Sequence, residues 1–281
     1  AGGRFTALIH TGYSVMPPYG ACPEQYTLGS RALYRAQNVR FGQKHLDLDV
    51  VPNTYMRAPG EAVGSFALES AVDELAHQMS MDPIELRLRN DPEVHPLSGI
   101  PFSQRALAEA YRQGAEAFGW DSGPRKPRQK REGEWWVGTG MASAARVHNV
   151  SEAKARVTLK PDGTALVETD MTDIGTGTYT ILSQIAGEML GLSPDRVLVD
   201  LGDTRHPRGP GSGGSWGAAS IGSAVYVACQ AIREELASRL DVEEAELDLS
   251  DGKAGSGESI VDLLDGKDLA RGGYYEPGDI A

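Results

Sequence analysis

The stretches Asp173-Ile174-Gly175-Thr176-Gly177 and Gly211-Ser212-Gly213-Gly214-Ser215-Trp216-Gly217 decide how the chain reads. Ahead of the first lies Ala165-Leu166-Val167-Glu168-Thr169, a strand pattern, and behind it a helical run from about Thr178 to Leu190. Ahead of the second lie the strand pattern Val197-Leu198-Val199-Asp200-Leu201 and a Pro/Gly-rich loop from Gly202 to Gly211. Behind it runs a long helix, roughly Ala218 to Leu240. Strand, loop and helix twice over define an α/β unit with its loops at strand ends. Glycines in such loops let backbone amides approach a ligand, and a helix N-terminus adds partial positive charge for an anion. Glycines also serve plain tight turns, so both readings stand at this point: a cradle for a large phosphorylated ligand, or two turns.

Working outward, the sheet extends upstream. Ala153 to Leu159 and Ala165 to Thr169 flank Pro161-Asp162-Gly163-Thr164, a hairpin signal. Downstream, Glu246-Leu247-Asp248-Leu249 with Asp251-Gly252 suggests another hairpin, and Ser259 to Leu264 a short helix. Trp135 to Gly140 reads as a strand, preceded by the basic run Arg125-Lys126-Pro127-Arg128-Gln129-Lys130-Arg131, which suits a solvated linker. The expected organisation is therefore a first lobe over 1–120, a linker over 121–134 and a second lobe over 135–281.

In the first lobe, Arg4 to Met16 reads as a strand and Leu28 to Tyr34 as a short helical turn. His45 to Val51 alternates Leu46, Leu48 and Val50 against Asp47 and Asp49, a half-buried strand pattern. Thr54-Tyr55-Met56-Arg57-Ala58-Pro59-Gly60-Glu61 then delivers one arginine just before a helix. Val63, Phe66, Ala67, Ala71, Val72, Leu75 and Met79 recur there at three- and four-residue steps, which predicts that this face turns to the core. Asp82-Pro83-Ile84-Glu85 opens a further short helix with Asp as N-cap, Pro first and Glu third. Ser103 to Phe118 forms another, using Leu107, Ala110, Tyr111 and Phe118.

Composition narrows the function. A net charge of −12 over 281 residues argues against a nucleic-acid partner, whose phosphates demand basic surface. No apolar run approaches the ~18 residues of a membrane span. Cys22 and Cys229 are the only cysteines and form no CxxC pattern, and the six histidines lack ligand spacing, so no protein metal ligands are expected. His206 reads as a solvent-exposed loop residue, Trp216 as packing, Glu61 as a complement to a helix dipole and Asp173 as a cap for the turn after it. No signal peptide is visible, and the compartment, bacterial periplasm or cytoplasm, stays open. With no Met at Ala1 and no capping signal before Ala281, the chain reads as a piece of something longer.

Neither glycine loop matches a dinucleotide fingerprint or a Walker loop. Together with Tyr55-Met56-Arg57-Ala58-Pro59-Gly60-Glu61, the helix Phe66 to Ala76 and Asp82-Pro83-Ile84-Glu85-Leu86-Arg87-Leu88-Arg89-Asn90, however, they carry a resemblance. The chain resembles the molybdopterin-binding large subunit of the xanthine dehydrogenase/aldehyde oxidase family, closest to the periplasmic-type aldehyde oxidoreductases. That resemblance implies an α+β (mixed α/β), two-lobed molybdopterin-binding fold and a molybdenum hydroxylase that oxidises aldehydes to carboxylic acids. It further implies a molybdenum–molybdopterin cofactor in the cytosine dinucleotide form. Iron–sulfur clusters and FAD are then expected on partner subunits of a heterotrimer.

The resemblance places Met56, Arg57 and Ala58 beside the metal. It sets Ile174, Gly175, Thr176 and Gly177 on the loop often written Met-Gly-Gln-Gly, and Gly213, Gly214 and Ser215, within one residue of register, by the pterin. Thr176 stands where the family has glutamine. Pro59 replaces a phenylalanine of xanthine oxidisers, and Ala58 the copper-binding cysteine of carbon monoxide dehydrogenases. Both point away from those chemistries, leaving N-heterocycle hydroxylation as the neighbouring alternative within the family. The family's catalytic glutamate, in a Gly-Glu motif, corresponds to no glutamate here and would lie beyond Ala281. A non-catalytic cofactor-binding or assembly fragment is the alternative of a different class.

Overall fold

The structure is a computed structural model that describes residues 2–19, 22–121, 127–146, 149–255 and 257–278. Arg125 and Lys126, at the start of the basic run, lie outside the described residues. The chain divides into two compact units, residues 1–147 and 148–280.

In the first unit, β1 (Ala7–Met16) and β2 (Asn38–Asp47) form a two-stranded parallel sheet in register Ala7 to Asn38, with α1 (Leu28–Ala32) between them in sequence. The alternation read over His45 to Val51 misplaces the second strand. It starts at Asn38 and ends at Asp47, while Leu48 and Val50 are exposed. Of Leu46-Asp47-Leu48-Asp49-Val50 only Leu46 and Asp47 belong to the strand, paired with Val15 and Met16 of β1.

Three helices follow: α2 (Glu61–Gln78), α3 (Pro83–Arg89) and α4 (Leu107–Phe118). Asp82 caps α3 by accepting from the Ile84 and Glu85 amides at 2.8 and 3.1 Å, as its sequence signature requires. Strands β3 (Lys130–Glu132) and β4 (Trp135–Val137) make a small hairpin, with Trp135 and Trp136 exposed.

The face of α2 expected in the core is the exposed one. Val63, Phe66, Ala67, Ala71, Leu75 and Met79 are exposed, Phe66 at 79%, and of the predicted stripe only Val72 is buried. The buried stripe is Gly64, Leu68, Val72 and Ala76, with Glu69 beside it. Two features explain the reversal. Gly64 lies so close to the Tyr26 carbonyl that a Cβ would collide with it, so the glycine face is the one able to approach its neighbour. Glu69 is drawn inward by the fully buried Arg87, whose Nε donates to Glu69 Oε2 at 2.9 Å while Nη1 approaches Asp73 at 2.7 Å. The Ser143 amide donates to the same Glu69 oxygen at 2.7 Å, and the Tyr34 hydroxyl to Glu69 Oε1 at 2.7 Å. This network anchors α2, α3 and residues 141–143 to one small core built on Leu33, Tyr34, Leu68, Val72, Ala76 and Leu86.

The second unit is a four-stranded sheet in the order β10-β5-β6-β7. Strands β5 (Ala153–Leu159) and β6 (Ala165–Thr169) are the expected hairpin, turned at residues 160–164. From β6 the chain crosses through α5 (Thr178–Leu190) to β7 (Val197–Leu201), parallel to β6 with Ala165 opposite Val197. Helix α6 (Gly217–Leu240) follows. Beyond it come the small hairpin of β8 (Leu249–Ser250) and β9 (Lys253–Ala254), then the short helix α7 (Ile260–Leu263) and β10 (Leu269–Tyr275), which pairs antiparallel with β5. The core lies between the sheet and α5 and α6, with Val157, Val167, Leu182, Ile221, Val225 and Ile232 at its centre. Sequence reading missed β10, because Gly272 and Gly273 break any strand pattern. Gly273 is there for packing: a Cβ at that position would collide with the Ala224 carbonyl of α6.

No helix among the described residues is long and apolar enough to cross a membrane.

Candidate functional site

Strands β6 and β7 are parallel neighbours, so the loops leaving their carboxyl ends emerge at the same end of the sheet. That is where open α/β sheets bind ligands. The first glycine loop leaves β6 and enters α5. The second is reached from β7 and enters α6. They are tied side by side: the Thr172 hydroxyl donates to Ser212 Oγ at 3.1 Å, and the Ser212 hydroxyl also bonds to the Thr172 carbonyl. Neither Thr172 nor Ser212 stands out in the sequence. Only the parallel pairing of their strands makes them meet.

The first loop needs its glycines for backbone shape. Gly175 has φ +91° and Gly177, the N-cap of α5, φ +83°, with open space where a Cβ would be. Ile174, Gly175 and Thr176 are exposed. Asp173 organises the loop as its sequence position suggested. Oδ1 accepts from the Gly175 and Thr176 amides at 2.7 and 2.9 Å, and Oδ2 from the Thr178 amide at 2.9 Å. Desolvation pushes the Asp173 carboxyl up, but donation from the Gly175, Thr176, Thr178 and Tyr179 amides outweighs it and holds the group below the usual aspartate range.

In the second loop Gly214 has φ +54° and Ser215 φ +64°, followed by Trp216 in the right-handed region. The Trp216 amide donates back to the Gly213 carbonyl at 3.3 Å, which closes the loop into a tight turn ahead of α6. The half-buried Trp216 ring lies against Gly214, where any Cβ would strike it, and the indole Nε1 bonds to the Gly211 carbonyl. Gly213 is 4.0 Å from that ring at its would-be Cβ and carries no such restriction.

The segment between β7 and the second loop is held down across the sheet face opposite the helices. The Pro207 carbonyl accepts from the Asp170 amide at 2.9 Å, and the Arg208 carbonyl from the Lys154 amide at 2.8 Å. His206 belongs to this strap and is not the exposed loop residue its sequence suggests; its side chain is only 9% exposed. Nδ1 lies 3.4 Å from Glu168 and Nε2 3.1 Å from Asp200. Arg156, Glu168 and Asp200 are consecutive cross-strand partners, and Arg156 grips Glu168 through two bonds of 2.8 Å. That bidentate contact, reinforced by the charges of Arg156 and His206, holds the Glu168 carboxyl below its usual range.

In the first unit, Met56 and Arg57 are exposed, Met56 at 75%, just ahead of α2. The Arg57 guanidinium makes no hydrogen bond or ion pair among the described residues. Ala58 takes the left-handed φ of +57°, and Gly60, at φ +80°, is pressed against the Gln25 backbone. Glu61, at the start of α2, pairs with Arg146. Two concavities of about 430 and 400 Å³, the latter along α4, are lined by none of the predicted site residues. Among the described residues no group of three or more His, Cys, Asp or Glu side chains could hold a metal ion.

Two glycine loops tied side by side at the strand ends of the second unit offer backbone to a ligand there. The chain belongs to the molybdopterin cofactor-binding domain family. One such domain matches residues 1–91 and a second matches residues 113–280. Among curated relatives, the aldehyde oxidoreductase molybdenum-binding subunit PaoC of Escherichia coli K12 is 45% identical over 91% of this chain and 35% of its own length. The probable hypoxanthine oxidase XdhD of the same strain is 31% identical over 83% of this chain and 26% of its own length. Among solved structures, quinoline 2-oxidoreductase from Pseudomonas putida 86 shares the fold, with a TM-score of 0.73 at 22% identity over 99% of this chain and 42% of that one. The chain thus spans between about a quarter and about a third of the length of these curated relatives.

Proposed function

We propose that this chain is the cofactor-holding part of a molybdenum hydroxylase that oxidises aldehydes to carboxylic acids. The observation that carries the reading is the pair of glycine loops tied side by side at the carboxyl ends of β6 and β7. The 45% identity to an aldehyde oxidoreductase subunit supports the substrate class. The cofactor is molybdenum–molybdopterin, in its cytosine dinucleotide form, and when bound it supplies a two-electron oxidation of the substrate carbon.

The chain's own part is to bind and orient. Gly213, Gly214 and Ser215 offer main-chain nitrogens. Ile174, Gly175, Thr176 and Gly177 offer the exposed edge of the first loop. Arg57, between Met56 and Ala58, offers a guanidinium for the metal end of the cofactor. Thr176, shorter than the family's glutamine, leaves the backbone role of its loop intact. Electrons leave through partner subunits carrying iron–sulfur clusters and FAD; the two cysteines of this chain, Cys22 and Cys229, are consistent with that division.

Steady-state turnover of benzaldehyde against quinoline by the complete enzyme tests the reading. Benzoic acid formation with the higher kcat/KM is expected. Hydroxylation of quinoline with no aldehyde oxidation would overturn the substrate class.

A further inference from the structure

Strands β1 and β2 pair in parallel, and among the described residues no further strand joins them. Parallel sheets are normally covered on both faces, and a sheet of only two strands is marginal by itself. Along β1 the side chains alternate. Leu8, His10, Gly12 and Ser14 are half-buried, while Ala7, Ile9, Thr11, Tyr13 and Val15 are exposed, Ile9 at 65% and Tyr13 at 68%. In a parallel ladder the bonds to one neighbour come from every second residue, so alternate amides and carbonyls of β1 point away from β2. Among the described residues nothing outside the ladder bonds to the β1 backbone over residues 7–14, and the Asn53 side chain reaches only the Val15 carbonyl, at 3.3 Å. The two edges of the sheet differ in chemistry. β1 has no Asp, Glu, Lys, Arg or Pro in its 10 residues, whereas β2 carries Arg40, Lys44 and Asp47, all exposed. Charged side chains and proline are what keep an edge strand from pairing. By that measure β2 is a guarded edge and β1 an open one.

We propose that the open edge of β1 is an acceptor site for one more strand, contributed by the same polypeptide from outside these 281 residues. The chain covers 35% of the length of its PaoC relative, so a subunit of that length has ample sequence to supply the strand. A strand tethered to the sheet also meets the edge at an effective concentration that a second molecule does not reach. It takes the outward amides and carbonyls of β1 through main-chain bonds, and apolar side chains on its outer face extend the exposed row of Ile9, Tyr13 and Val15. The site is independent of the cofactor and substrate assigned above, because it completes the sheet of the first unit.

The test is amide-resolved hydrogen exchange, read by electron-transfer fragmentation, on the full-length subunit. It is measured in the complete enzyme and again after separation from the other subunits, at dilutions where each particle holds one copy. An edge strand protects every second amide, and a strand paired on both sides protects consecutive ones. Consecutive protection is expected along β1 in both samples, with its outward amides exchanging at least about tenfold more slowly than those of β2, which keeps the alternate pattern. Alternate protection along β1, or the two patterns interchanged, would overturn the proposal. So would consecutive protection seen only in particles that carry two copies, which would make a second molecule the donor. Protection lost from β1 on separation, while β2 and α3 stay protected, would assign the strand to a partner subunit and overturn it equally.

Discussion

Arg87 has no exposed side-chain surface and survives there only because Glu69 and Asp73 face it. Removing one partner of a buried pair leaves the other charge stranded, at a cost of about 3–5 kcal/mol, whereas replacing both by apolar groups costs much less. Arg87→Met should therefore lower the urea midpoint of the first unit sharply, and adding Glu69→Leu should recover only part of the loss, because the buried Ser143 amide and Tyr34 hydroxyl lose their carboxylate acceptor. Burial pushes the Tyr34 and Tyr111 hydroxyls up, so both stay protonated donors to this network across neutral pH.

In the second unit, Glu168 sets a pH dependence. Its folded carboxyl is held down by Arg156, so its stabilisation is present above the ordinary value of 4.5 and is lost as pH falls through the depressed one. Because Arg156 is 45% exposed, screening limits the effect to about 1 kcal/mol. The thermal midpoint of wild type should be level from neutral pH down to that value and fall below it; the fall should be shallower in Glu168→Gln. A fall of equal depth in both would remove Glu168 from the account. The two neighbouring glycines of the second loop separate just as cleanly. Gly214→Ala meets both a positive φ and the Trp216 ring and should weaken the unit by about 1–3 kcal/mol, while Gly213→Ala should lie within about 0.5 kcal/mol of wild type.

At the scale of elements, α2 shows where a sequence pattern misleads. Its apolar recurrence is real, but it lies on the outer face, because Gly64 and Glu69 fix the inner one. Gly64→Ala, normally a helix-stabilising change, should here destabilise by more than about 1 kcal/mol, and Phe66→Ser should leave the midpoint of the first unit within about 0.5 kcal/mol of wild type. Circular dichroism melts of the two variants check both. Where helix punctuation is local, the sequence is legible. The limits of α5 and α6, the Asp82 cap and the β5–β6 hairpin all follow from glycines, prolines and periodicity within a few residues. What could not be read depends on distant partners: β10, whose glycines answer to Ala224, the start of β2, which answers to β1, and the burial of His206 between strand carboxylates.

At the scale of the molecule, the loops and the arginine motif were legible as motifs, and the family match bears out the resemblance they carry. Their adjacency within the second unit was not, because it follows from the parallel pairing of β6 with β7 and from the Thr172–Ser212 bonds. The chain spans 35% of the length of its aldehyde oxidoreductase relative, and we expect it to hold cofactor without completing turnover by itself. The most direct measurement is molybdenum and released cytidine monophosphate per chain, for wild type, Gly213→Ala and Gly214→Ala purified from cells that make the cofactor. The account predicts close to one of each per chain in wild type and Gly213→Ala, and a marked loss in Gly214→Ala. A folded wild-type chain carrying neither metal nor nucleotide would contradict it, as would a Gly214→Ala chain loaded as fully as wild type.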